Sequence, residues 1–173
     1  MRTRDRAVVF SGLVVDIEQL EVVIGAKGWH PFQVMRHPGG VAVLPLHDDG
    51  SVTLIRQLRP AVAEFLLELP AGRLSPAAEP SECGRRELAE ETGLVAERLD
   101  PLGFIYPSPG ILDEKIHLYL ATGLTQEEAH QEAYEVIETF RLPLTEAVAM
   151  ARDGRISDSK TIAALFRASG GGA

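Results

Sequence analysis

Apolar residues in the first third of the chain come in short runs of strand length. They occupy residues 7–10, 13–16, 20–24, 31–35, 41–46 and 52–58, with turn residues between them. Gly25, His37-Pro38-Gly39-Gly40 and Asp48-Asp49-Gly50 supply the breaks, and Asp49-Gly50 between two apolar runs predicts a tight hairpin. The pattern changes at residues 80–93. Pro80 suits the first position of a helix, Glu82 then sits in the first turn beside the positive end of the helix dipole, and Gly93 is a natural left-handed stop. Strands are expected again at 99–106 and 116–122, separated by a turn at Pro107 to Pro109. Residues 125–133 are polar and acid-rich and read as a mobile loop or a short helix. A last strand at 136–142, a helix at 145–152 and a helix at 157–168, capped by Ser157 or Asp158, complete the pattern.

Strands mixed with two or three helices predict an α/β fold, a mixed sheet covered on both faces as an α/β/α sandwich. The break at residues 37–40 separates a small N-terminal antiparallel β segment, 1–39, from a main domain, 40–168, with a frayed tail at 169–173. The N-terminal strands are too few to hold a core of their own.

Composition narrows the function. With 173 residues, 45% hydrophobic and 24% charged, the chain has the make-up of one globular domain with an appended segment. A net charge of -8 opposes unassisted binding to nucleic acid, so a polyanionic ligand would need a bridging cation. The single cysteine, Cys83, excludes an internal disulfide, and there is no Cys/His cluster for structural zinc. The basic first ten residues precede no long apolar stretch, so no secretory signal, membrane span or membrane partner is expected, and a cytoplasmic setting fits.

The chemistry concentrates at Glu87, Glu90 and Glu91. Their i, i+3, i+4 spacing brings three carboxylates to one helix face, where like charges repel by about 0.2–0.5 kcal/mol per pair unless a cation joins them. Magnesium, a hard ion that shares its shell between carboxylates and substrate phosphates, would do so. The plainer alternative is a solvated acidic face on which Arg86 pairs with Glu82 and Glu90.

Gly72 followed by Arg86-Glu87-Leu88-Ala89-Glu90-Glu91-Thr92-Gly93-Leu94 closely resembles the Nudix box, G-x5-E-x7-R-E-U-x-E-E-x-G-U with U apolar. One position departs: the first box glutamate is replaced by Ala78, with Glu79 one residue on, so a supporting contact is expected to be missing. Flanking segments resemble the ADP-ribose pyrophosphatase branch of that family: Gly40 to Pro45, Arg56-Gln57-Leu58-Arg59-Pro60, Glu68-Leu69-Pro70-Ala71-Gly72, Tyr106-Pro107-Ser108-Pro109-Gly110 and Asp113 to His117.

The resemblance implies a magnesium-dependent hydrolase, with Mn2+ or another divalent ion as a substitute, that splits ADP-ribose into AMP and ribose 5-phosphate. It implies metal binding by the carbonyl of Ala71 and the carboxylates of Glu87 and Glu91, with Glu90 a further ligand or an outer group. Glu135, and more weakly Glu132, would supply the loop carboxylate that orients or deprotonates the attacking water. Arg59 would grip a phosphate by its fork, or else pair with Glu64 or Glu68, and Glu114 would contact the sugar or a metal-bound water. Trp29, Phe32 and Tyr106 are candidates to stack on a base. The box binds only the diphosphate, which leaves open another nucleoside diphosphate sugar or a dinucleotide (GDP-mannose, NADH, FAD), or a non-catalytic sensor. A small-molecule nucleotide as substrate and a homodimer joined through the N-terminal strands are the expected partners.

Overall fold

Gly40 marks a division in the computed structural model, which describes residues 2–75, 77–130 and 136–170. The first unit comprises Met1–Gly39 and Tyr106–Lys115. Its strands β1 (Thr3–Ser11), β2 (Asp16–Val23) and β3 (Trp29–Arg36) form an antiparallel sheet in that order. Residues 13–16, expected as a strand, mostly form the turn between β1 and β2. Gly12 N–H donates to the Val15 carbonyl at 3.0 Å, and Ser11 Oγ donates to Asp16 Oδ1 at 2.5 Å. The apolar run there is fully solvated at Leu13, so its composition signalled burial that the turn denies it. The segment after Tyr106 folds back along β3: Met35 N–H donates to the Ile111 carbonyl at 2.8 Å, and Arg36 Nη1 reaches Asp113 Oδ2 at 2.9 Å.

The second unit, Gly40–Ile105 and Ile116–Ala173, carries β4 (Gly40–Pro45), β5 (Ser51–Arg59), β6 (Glu64–Glu68), β7 (Ala71–Arg73), α1 (Pro80–Thr92), β8 (Leu94–Ile105), β9 (Ile116–Gln126), β10 (Ile137–Pro143), α2 (Leu144–Asp153) and α3 (Ser159–Ser169). One sheet runs β7-β4-β9-β8, with β4 and β9 parallel and the other pairs antiparallel. The other is the antiparallel β10-β5-β6. All six residues of β4 are buried, as an uninterrupted apolar run predicts for a strand covered on both faces. Alternation then sorts them. Ala42 and Leu44 join Val52, Leu54, Ala164 and Leu165 in one core, whereas Val43 joins Leu88, Leu94, Ala96 and Ala121 in the other. Helix α1 therefore covers one face and α3 the opposite face, giving the expected α/β/α sandwich with a mixed sheet.

Strands β6 and β7 were not expected. Arg59 to Ala63 lacks ordinary turn composition beyond Pro60, yet the chain reverses there with Ala63 held at φ 55°, a conformation alanine rarely adopts. Strand β8 starts at Leu94 rather than at 99, directly after the helix stop. Among the described residues, no helix is long and apolar enough to cross a membrane.

Candidate active site

Helix α1 sets the acidic residues in place. Pro80 occupies its first turn, and Gly93 closes it at φ 71°, its N–H bonded to the Ala89 carbonyl at 2.8 Å. Leu88 and Glu91 are both buried on the side of the helix that faces the sheet. A carboxylate in that position needs a polar partner, and Glu91 Oε2 accepts the N–H of Ala71 at 3.0 Å. One turn earlier, Glu87 lies against the next residue of the same short strand. A Cβ at Gly72 would stand 2.0 Å from Glu87 Cδ, so the carboxylate fills the space that only glycine leaves. Glu87 and Glu91 thus converge on Ala71-Gly72.

Arg86 is the cation that the outer side of this cluster shares. Its Nη2 is 2.5 Å from Glu87 Oε1 and its Nη1 is 2.7 Å from Glu90 Oε2. Burial opposes the Arg86 charge, but Glu87 and Glu90 outweigh it and raise its pKa above the ordinary arginine value. Arg86 therefore pairs with Glu90 as the solvated-face alternative required, but with Glu87 in place of Glu82. The neighbouring Arg85 turns away to the carbonyls of Ala96 and Glu97.

Among the described residues, no three His, Cys, Asp or Glu side chains are gathered so as to hold a metal ion by themselves. The donor set still suits a hard cation: a buried carboxylate on a backbone N–H, a second carboxylate cradled by a glycine, and a third beside them, all oxygen. Glu132 and Glu135 lie outside the described residues.

Arg59 stands at the end of β5 and grips Glu68, not Glu64. Nε and Nη2 donate to the two Glu68 oxygens at 2.7 and 2.8 Å. Burial works against the guanidinium charge, and Glu68, with Asp158 and Glu91 further off, overcomes it and raises the Arg59 pKa. Glu68 is itself fully buried and accepts a second cation, Lys160 from α3. Reading the sequence alone did not single out Lys160. A signal was present, since a lysine in the first turn of a helix opposes the dipole and needs a local anion.

Glu114 belongs to the first unit, where it lies 3.3 Å from His37 Nδ1. The candidate aromatic residues are in that unit as well: Arg4 covers the ring of Trp29 at 4.3 Å, while Phe32 and Tyr106 are exposed.

The NUDIX domain family profile matches residues 36–165 of the chain. The chain is 34% identical to an ADP-ribose pyrophosphatase of Bacillus subtilis (strain 168), over 91% of this chain and 86% of that protein. It is 40% identical to a GDP-mannose pyrophosphatase of Yersinia enterocolitica serotype O:8 / biotype 1B, over 75% of this chain and 72% of that protein. In fold it is similar to the crystal structure of an ADP compounds hydrolase, with TM-score 0.84 at 21% identity, covering 97% of this chain and 91% of that one.

Proposed function

Since the chain belongs to the Nudix hydrolase family, we propose that this pyrophosphohydrolase acts on ADP-ribose, releasing AMP and ribose 5-phosphate with magnesium as its preferred ion. The observation that carries this reading is the convergence of Glu87 and Glu91 on Ala71-Gly72, which builds an oxygen-rich, negatively charged edge beside a strand. The relative from Bacillus subtilis supports ADP-ribose as the substrate.

Glu87, Glu91 and the Ala71 carbonyl would hold the divalent ions, with Glu90 as a further ligand. Bound there, the ions supply charge neutralisation of the diphosphate and a water of lowered pKa. Glu135 or Glu132 would take the proton of the attacking water, and Arg59 would bind a phosphate oxygen through its guanidinium. Glu114 contacts the sugar. A homodimer through the N-terminal strands accords with the exposed Val8, Val9 and Phe10 on β1. A monomeric mass at micromolar concentration in light scattering would remove that part.

The similarity to a GDP-mannose pyrophosphatase favours a second reading in which the chemistry is kept and the sugar nucleotide differs. One assay separates the readings: the protein is incubated with ADP-ribose, GDP-mannose, NADH and FAD, with magnesium or with chelator, and the products are resolved. Magnesium-dependent AMP release, fastest from ADP-ribose, is expected. Faster cleavage of another compound changes the substrate, and ligand binding without cleavage would turn the protein into a sensor.

A further inference from the structure

Lys160 is a buried ammonium to which the proposed reaction gives no task. The start of α3 fixes it. Asp158 caps the helix by accepting Thr161 N–H at 3.0 Å and Thr161 Oγ1–H at 2.6 Å, and its other oxygen accepts Lys160 Nζ at 3.0 Å. Lys160 Nζ also donates to Glu68 Oε2, the oxygen that receives Arg59 Nη2. Beside it, Thr161 Oγ1 accepts the N–H of Leu69 at 2.9 Å. One turn of α3 therefore grips Glu68 by its side chain and the next residue by its backbone.

The consequence falls on Arg59. Its Nε and Nη2 are committed to Glu68, while Nη1 makes no hydrogen bond or ion pair among the described residues, and the side chain is 37% exposed. The charges of Arg59, Glu68, Lys160 and Asp158 cancel, so the cluster presents no excess positive field to an anion. What it presents is one N–H edge held in a fixed orientation. Glu68 bound to Arg59 alone would leave the guanidinium and its carboxylate to swing together. Glu68 tied to Lys160, and through it to the helix cap, removes that freedom.

We propose that Lys160 is a positioning residue for diphosphate binding: it anchors Glu68 so that Arg59 offers its Nη1 edge to a phosphate oxygen. This rests on the pyrophosphohydrolase reading of the site. The test compares Lys160→Met, Lys160→Gln and Lys160→Arg with the wild type. It measures KM and kcat for ADP-ribose with magnesium, and hydrogen exchange at Arg59 Nε–H by nitrogen-15 NMR. Lys160→Met is expected to raise KM about 10-fold or more while kcat changes little, and to speed the Arg59 exchange, with Lys160→Arg returning both towards wild type. Should Lys160→Met not fold, Lys160→Gln carries the same expectation. Unchanged KM in the neutral variants, a fall confined to kcat, or unchanged Arg59 exchange overturns the proposal. A wild type that cleaves no diphosphate overturns the hydrolase reading instead, and the exchange rates still decide whether Lys160 holds Arg59.

Discussion

Two carboxylate clusters in the second unit each lie against an arginine, and they solve their charge in opposite ways. On α1, Arg86 bridges Glu87 and Glu90, and the buried Glu91 stands one turn from Glu87, so three carboxylates crowd one side of the helix. On β6, the buried Glu68 is met by Arg59 and Lys160, with Asp158 completing a neutral set. A balanced buried cluster needs no further counter-ion, so removing one of its charges is felt by the fold, whatever the free edge of Arg59 binds. A cluster of hydrogen-bonded, glycine-cradled carboxylates that crowd one another would gain from a cation, and its loss is expected to be felt by the chemistry. What would separate a structural from a functional acid here is the set of charges around it, not residue type or burial, since Glu91 is buried like Glu68.

The same isosteric change at each site is the strongest way to break this comparison. Glu68→Gln leaves two cations facing a neutral amide and is expected to destabilise the protein by about 3 kcal/mol in denaturant unfolding. Glu91→Gln is expected to lower turnover by at least about 10²-fold while leaving the melting temperature unchanged or raised, because it relieves the repulsion of Glu91 by the carboxylates of Glu87 and Glu90. Melting temperature falling in step with activity in Glu91→Gln would make the α1 cluster structural, and the contrast would collapse.

Gly72→Ala probes the α1 side without touching a charge. The added Cβ, 2.0 Å from Glu87 Cδ, forces that carboxylate out of its cradle. Hydrolysis is expected to fall about 10–100-fold, with weaker magnesium binding in calorimetry. Wild-type turnover in Gly72→Ala would show that the position of Glu87 does not matter.

How far each cluster could be read from the sequence follows from the distance of its contacts. The α1 carboxylates sit within five residues of one another, between a proline that starts the helix and a glycine that stops it, so local rules placed all three. The α/β/α layering was legible for a similar reason, since the apolar run of β4 and the helices that cover it each carry their own period. Glu68 and Lys160 are separated by 92 positions, and only the packing of α3 against the end of β6 joins them. No local spacing rule reaches that far. Arg59 could be read either as a phosphate ligand or as a partner of Glu64 or Glu68, and its ion pair with Glu68 became visible once β6 was seen to return antiparallel beside β5, which the alanine-rich turn had concealed.

A milder change sharpens the balanced side. Thr161→Val keeps the shape of a fully buried side chain but leaves the Leu69 N–H without its acceptor. A loss of about 1–3 kcal/mol is expected in denaturant unfolding, with kcat retained. A large fall in kcat at unchanged stability would mean that the grip of α3 on residues 68–69 serves the chemistry directly.

The first unit holds a third arrangement, in which Arg6 and Arg36 meet Glu18 and Asp113 in equal number. Glu18 accepts Arg6 Nε at 2.6 Å and Arg36 Nε at 2.6 Å, and these hydrogen bonds, the Arg6 one foremost, hold its pKa down to about 2. A carboxylate whose pKa is lower in the folded state stabilises the fold in its ionised form. That contribution is complete above the ordinary carboxylate value of 4.5 and disappears as pH falls through about 2. If charge balance, and not burial, decides what a carboxylate does here, Glu18→Gln should leave turnover at neutral pH untouched. Its melting temperature should lie a constant few degrees below wild type above pH 5, with the gap closing on acidification towards pH 2. A gap independent of pH would assign the loss to packing in place of the ion pairs, which circular dichroism melts across that range would reveal.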